Sequence, residues 1–156
     1  MNLCSEVIKT LSGRTLVTAE SCTGGGIGSA LTAVSGASAV FKGGVISYCN
    51  ELKHDLLGVQ ASDLERFGAV SAPVAEAMAQ GARERMNADV AVSVTGLAGP
   101  GGDEYGNPVG TVFLGYADRD RVLSRKFLFS GSREEVRHSA IEAALCLILE
   151  MNQSVI

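Results

Sequence analysis

The stretch Thr18-Ala19-Glu20-Ser21-Cys22-Thr23-Gly24-Gly25 places a hydroxyl, a thiol and two glycines directly after a short β-rich run. Three chemistries fit it. Ser21 on a tight strand-to-helix turn can act as a nucleophile if a base takes its proton, although the GxSxG pattern of nucleophile elbows is absent. Gly24-Gly25-Gly26-Ile27-Gly28 is a broken relative of GxGxxG, so the turn can instead cradle a phosphate on a helix N-terminus. The acidic residue that fingerprint requires near the end of the second strand is missing, with only Glu51 a little further on. The plainest reading is that Ser21 or Thr23 merely caps a helix. Cys22 is a second candidate nucleophile, because a thiol at a helix N-terminus has a lowered pKa. Neither histidine (His54, His138) lies near it in sequence, and small buried cysteines are common, so it ranks below Ser21.

Other groups could complete such a site. Lys53, in Tyr48-Cys49-Asn50-Glu51-Leu52-Lys53, can serve as a general base if burial lowers its pKa; the ordinary alternative is a solvated helix lysine. Tyr48 can donate a hydrogen bond to developing charge, or sit half in the core at a strand end. Arg133 and Arg137 are one helical turn apart and can grip a phosphate on one face, or form surface ion pairs with Glu134 and Glu135. Asp103-Glu104 reads as solvated loop charge. Cys4 and Cys146 fall on apolar helical faces and read as core.

These groups need elements to hold them. Apolar residues at Leu3, Val7, Ile8 and Leu11 have helical spacing, and Gly13 ends that helix. Thr15 to Ala19 is a strand, followed by a helix from Ile27 to Val34. Val45 to Tyr48 is a second strand, preceded by Gly43-Gly44, which signals a bulge or a close backbone approach. Glu51 to Leu57 and Ser62 to Phe67 are short helices. Val74 to Met86 is another, with Pro73 in its first turn and Ser71 as a possible cap. Asp89 to Thr95 is the most apolar strand, and the loop Gly96-Leu97-Ala98-Gly99-Pro100-Gly101-Gly102 follows it. Val109 to Tyr116 and Val122 to Phe129 pair as a hairpin through Asp118-Arg119-Asp120. Ser132 opens a last helix to about Glu150, with Glu135 completing a capping box. Gly99 to Pro108 is expected to be the least ordered stretch. Interleaved strands and helices predict an α/β sheet covered on both faces, mixed because of the hairpin. Ligands in such sheets bind beyond the carboxyl ends of the strands, where the Ser21, Tyr48 and Thr95 loops all fall.

The 156 residues suit a single domain spanning 1–156, and 46% hydrophobic with 19% charged residues argues against disorder or a coiled coil. A net charge of -4 with scattered basic residues argues against a nucleic-acid partner and requires a local site for any anion. No apolar run matches a membrane span, no signal peptide is visible, and four cysteines without a CxxC pair predict no metal site and a reduced, cytoplasmic protein. A homo-oligomer is expected.

Together the loops resemble the CinA C-terminal domain family. The matching segments are Thr18 to Gly25, Tyr48 to Lys53 as a form of Y-x-N-E-x-K, Gly68-Ala69-Val70-Ser71, Thr95 to Gly102, and Pro108-Val109-Gly110-Thr111-Val112. They span nearly the whole chain, and no larger competence-type domain precedes them, so the resemblance is to the stand-alone form. It implies a three-layer α/β/α sandwich on a mixed, mostly parallel sheet of about five strands. It also implies nicotinamide-nucleotide amidase activity, converting nicotinamide mononucleotide (NMN) to nicotinate mononucleotide and ammonia with no cofactor. By motif, Ser21 matches the nucleophile, Lys53 its base and Tyr48 a supporting residue. Glu20, Cys22, Thr23, Gly24, Gly25, Asn50, Thr95, Gly96, Gly99 and Arg137 fall in the substrate-binding segments. Cys49 stands where some relatives carry serine. Two other functions fit the same residues: a nucleotide-binding or regulatory module without catalysis, and an amidase for a related pyridine nucleotide amide.

Overall fold

A computed structural model describes residues 2–153. In chain order the elements are α1 (Leu3–Thr10), β1 (Leu16–Glu20), α2 (Gly26–Thr32), a single 3-10 turn (Ala37–Ala39), β2 (Phe41–Ile46), α3 (Asn50–Leu57), α4 (Ala61–Phe67), α5 (Ala72–Arg85), β3 (Val90–Gly96), β4 (Thr111–Ala117), β5 (Val122–Leu128) and α6 (Arg133–Asn152). The strands form one sheet in the order β2-β1-β3-β4-β5. β2, β1 and β3 are parallel neighbours, and β4 runs against both β3 and β5. Four of the five strands therefore point the same way, and the sheet is mixed as the hairpin required.

Side chains alternate across each strand, so every buried strand feeds two cores. Leu16, Val90, Val92, Val94, Val112, Leu114 and Tyr116 pack under α1, α2 and α6. Val17, Ala19 and Ala91 face the other way, into a second core with residues of α3, α4 and α5. The result is three layers, helix on sheet on helix. β1 and β3 are buried along almost their whole lengths, which is why they read as continuous apolar runs rather than as an alternation.

Several local expectations are refined. Gly43-Gly44 lies inside β2, not before it, and the register slips by one residue there: Leu16 faces Phe41 while Val17 faces Gly43. Ser71 occupies the N-cap position of α5, but its hydroxyl donates to Gly68 O at 2.8 Å and caps nothing. The Ser132–Glu135 capping box is present in full. Cys4 is buried as expected, but Cys146 is exposed. The buried residues of α6 (among them Val136, Ala140, Ala144, Leu145, Ile148 and Leu149) sweep a broad arc of the helix, and position 146 falls outside it. The segment Gly99 to Pro108 has neither helix nor strand, yet it is pinned. Asp103 accepts hydrogen bonds from Tyr105 N, Asn107 N and Asn107 Nδ2, and the Tyr105 hydroxyl donates to Glu65 O at 2.7 Å. Asp103 is thus a turn organiser and more than a solvated charge.

Candidate active site

The site sits at the carboxyl ends of β1 and β3, beside the end of β2. Ser21 follows the last residue of β1, and its N–H donates to Val94 O at 3.0 Å, which locks it against β3. The chain then turns: Gly24 N donates to Ser21 O at 3.0 Å, and Gly24 and Gly25 adopt φ of 59° and 95°. That left-handed backbone is open to glycine at little cost and strains most side chains. The turn delivers the chain straight into α2.

Lys53 arrives from the opposite layer. Gly58, in left-handed conformation, ends α3 with N–H bonds back to the last turn. Lys53 and Leu57, four residues apart, form the buried face of that short helix. Lys53 is 1% exposed, and burial lowers its pKa from 10.5 to about 8. Holding its charge there costs about 3 kcal/mol relative to water. Leu57 and Val59, both buried in the adjoining core, contribute about 1.5–3 kcal/mol each and offset that cost. The ammonium nitrogen lies 3.0 Å from Ser21 Oγ, 2.8 Å from Ser47 O and 3.4 Å from Tyr48 O. Those two carbonyls match the two N–H groups of a neutral amine. Its lone pair is then left for the Ser21 hydroxyl. The carbonyls are held in place because Ser47 N donates to Glu20 O at 2.8 Å, prolonging the β1–β2 pairing past its last strand residue.

Next to Ser21, the N–H groups of Cys22 and Thr23 have no backbone acceptor among the described residues. Backbone donors without a backbone acceptor at such a turn are the kind of group that can serve an oxyanion. The Cys22 thiol is buried, and desolvation pushes its pKa up to about 11, so it is a protonated thiol at neutral pH and a poor nucleophile beside Ser21.

A cavity of about 270 Å³ opens on this dyad. Of the residues singled out in the sequence, Ser21, Cys22, Tyr48, Asn50, Lys53 and Thr95 line it, as do Gly96 and Gly99 of the loop after β3. Thr95 is held by donating its hydroxyl to Ala69 O at 2.9 Å, and Tyr48 stands at the mouth, 61% exposed.

Five others, Glu20, Thr23, Gly24, Gly25 and Arg137, are not among the residues that line the cavity, and Glu20 and Arg137 serve the turn from outside. Glu20 points to the α2 side of the sheet, on the same face as Leu16 and Thr18. Its carboxylate accepts from Thr23 Oγ1 at 2.7 Å, Ile27 N at 2.8 Å, Gly28 N at 3.0 Å and Thr18 Oγ1 at 3.1 Å. It anchors the start of α2. Arg137 reaches from α6 to the outer side of the turn, where Nε donates to Cys22 O at 3.0 Å and a terminal nitrogen to Thr23 O at 3.2 Å. Gly24 and Gly25 shape the turn by backbone alone. Strand alternation, which puts Glu20 with Leu16 and Thr18, was the signal that would have separated Glu20 from the pocket.

Arg133 lines the cavity instead. Its guanidinium donates to Gly99 O at 2.5 Å and to the Tyr48 hydroxyl at 3.2 Å, bridging the two loops at the mouth. Neither arginine forms an ion pair with a carboxylate among the described residues. No group of His, Cys, Asp and Glu side chains is placed to hold a metal among those residues, and no helix there is long and apolar enough to cross a membrane.

Known proteins share both sequence and architecture with this chain. The family model of the CinA C-terminal domain matches residues 2–152. A CinA-like protein from Synechococcus sp. (strain RCC307) is 50% identical over 94% of this chain, which spans only 36% of that relative. The chain covers about a third of the length of the first such relatives. The nicotinamide-nucleotide amidohydrolase PncC of Enterobacter agglomerans is 54% identical over 78% of this chain and 75% of its own length. Among solved structures, the competence/damage inducible protein CihA from Agrobacterium tumefaciens superposes with a TM-score of 0.93 at 42% identity, covering 97% of this chain and 94% of that one. A competence-damaged protein (CinA) superfamily protein from Escherichia coli gives 0.94 at 38% identity, over 96% and 88%. With a match from end to end of the described fold, the chain belongs to the CinA C-terminal domain family.

Proposed function

We propose that this domain is a nicotinamide-nucleotide amidase that hydrolyses the carboxamide of NMN to nicotinate mononucleotide and ammonia. The observation that carries the reading is the 3.0 Å contact between Ser21 Oγ and the buried amine of Lys53. A lysine with a pKa of about 8 is neutral in about a tenth of molecules at pH 7, enough to act as a base. The 54% identity to a protein named nicotinamide-nucleotide amidohydrolase supports the substrate class.

In this mechanism neutral Lys53 takes the Ser21 proton as Oγ attacks the carboxamide carbon. The oxyanion that forms accepts from the N–H groups of Cys22 and Thr23. The Lys53 ammonium then gives its proton to the departing nitrogen, and ammonia leaves an acyl-serine. Water, deprotonated by Lys53, attacks that ester; the carboxylate leaves and Ser21 recovers its proton. The pyridinium ring of the substrate withdraws electrons from the carboxamide and lowers the barrier to attack. The sum is amide plus water to acid plus ammonia, with no redox step.

The test is ammonia release from NMN by the purified protein and by Ser21→Ala. The variant should lose roughly 10⁴-fold or more in turnover while unfolding at the same denaturant concentration. Near-normal turnover in Ser21→Ala would sink the dyad. Binding of NMN by the wild type without any ammonia release would mark the domain as a nucleotide-binding module.

A further inference from the structure

Charge in the cavity is unlike charge in the chain. The protein carries a net charge of -4, yet among the described residues the cavity is lined by two cations, Lys53 and Arg133, and by no carboxylate. The two cations sit at different depths. Lys53 is buried and committed to Ser21 and two carbonyls. Arg133 is exposed at the mouth. Only two of its five N–H groups are engaged among the described residues, each by a neutral acceptor: one by Gly99 O and one by the Tyr48 hydroxyl. Of the two acidic residues in the same helical turn, Glu135 is occupied by the Ser132 capping box, and neither it nor Glu134 forms an ion pair with Arg133 among the described residues.

An arginine fixed at a cavity rim by neutral groups, with the rest of its fork free, is prepared for an anion. Exchange of a carbonyl or hydroxyl for a phosphate oxygen replaces a neutral hydrogen bond by a charge-assisted one. The chain's overall negative charge disfavours anions elsewhere, so this local field selects where one can settle.

We propose that Arg133 forms an anion subsite that takes the phosphate of the nucleotide substrate, so that it, and not Arg137, sets the preference for nucleotide over nucleoside. The subsite rests on the amidase reading for its substrate, and on the cavity's charge alone for its preference for phosphate. Arg137 is excluded by its position: both of its contacts are spent on backbone carbonyls of the turn, and it does not line the cavity. Arg133 is a specificity residue, remote from the bond that breaks.

Two measurements on the wild type and Arg133→Gln decide it. The first is kcat/KM for NMN and for nicotinamide riboside, which lacks the phosphate. Loss of one charge-assisted fork should cut the NMN-to-riboside ratio roughly 10- to 100-fold, chiefly through KM for NMN. A ratio that stays the same, with both substrates falling together, would show that Arg133 only latches Tyr48 to the Gly99 loop, and would overturn the subsite. The second reads no activity: inorganic phosphate should raise the Tm of the wild type and not that of Arg133→Gln. An equal shift in both proteins, or none in the wild type, overturns the subsite as well. If the wild type hydrolyses neither substrate but phosphate still stabilises it through Arg133, the amidase reading fails and the anion site stands.

Discussion

The two ends of the sheet each hold a cluster of buried polar side chains, and they are completed differently. At the end away from the site, the fully buried Tyr116 donates its hydroxyl to Asp118 at 2.8 Å and accepts from Asn152 Nδ2 at 3.1 Å. Asp118 also accepts from its own hairpin, at Asp120 N and Arg121 N, and forms an ion pair with Arg121 at 2.8 Å. The Tyr116 hydroxyl and the two hairpin N–H groups each meet an acceptor, and the carboxylate meets a cation. At the site end, among the described residues, the Cys22 and Thr23 N–H groups have no backbone acceptor, the two cations lining the cavity meet no carboxylate there, and the buried Ser47 hydroxyl has no partner. Closed networks hold the hairpin and the end of α6 in place; the open one has capacity for a ligand.

The comparison can be broken most sharply at Lys53. Lys53→Met should reduce ammonia release about 10²- to 10⁴-fold. It should also stabilise the fold at pH 7 by about 1–3 kcal/mol in urea denaturation, because a buried ammonium is replaced by a neutral chain of similar length. A loss of stability would place Lys53 with the closed networks. The pH dependence has the next largest effect. The active form is the neutral amine, so kcat/KM should rise with pH, about 100-fold from pH 6 to a plateau above the pKa of about 8. Stability should follow the same group. Between about pH 8 and 10.5 the unfolded lysine holds a proton that the folded one has released, so stability rises with pH across that window, and this slope should vanish in Lys53→Met.

The closed end should respond in the opposite sense. Asp118→Ala strands the Tyr116 hydroxyl and two backbone N–H groups, and should cost about 1–3 kcal/mol while kcat for NMN holds. A fall in kcat without a fall in stability would deny the separation. The smallest effect is expected at Arg137, whose contacts are all with backbone carbonyls of the turn beside the open network. Arg137→Ala should lower kcat about tenfold with KM little changed, because the turn loses its outer brace and the substrate loses no contact. A rise in KM instead would restore Arg137 to the binding set.

Much of this was readable before any coordinates. β1 and β3 announce themselves as short apolar runs, and the Ser132–Glu135 pair marks the start of α6 because capping chemistry is local. The dyad was not readable from spacing. Ser21 and Lys53 are 32 positions apart on different layers, and their contact depends on the parallel β1–β2 register and on a short helix folding back over it. Family resemblance named both residues without giving their distance. Motifs also list neighbours without their directions: Glu20 and Ser21 are adjacent in sequence, but the pleat turns Glu20 to α2 and leaves Ser21 at the strand end facing the cavity. The same limit left Arg133 and Arg137, one turn apart on the same helix, undivided between the cavity and the turn.

That helix sets a schedule. Arg137 steadies the nucleophile turn and Arg133 borders the cavity, and both come from α6, after every strand of the sheet has been made. A chain emerging from the ribosome can pair β1 with β2 and β3 and seat Lys53 beside Ser21 while the turn still lacks its brace and the mouth its cation. On the amidase reading, the pocket is therefore completed last, with the docking of α6 onto the finished sheet, and a nascent chain stalled before that point carries Ser21 without its brace or its rim cation.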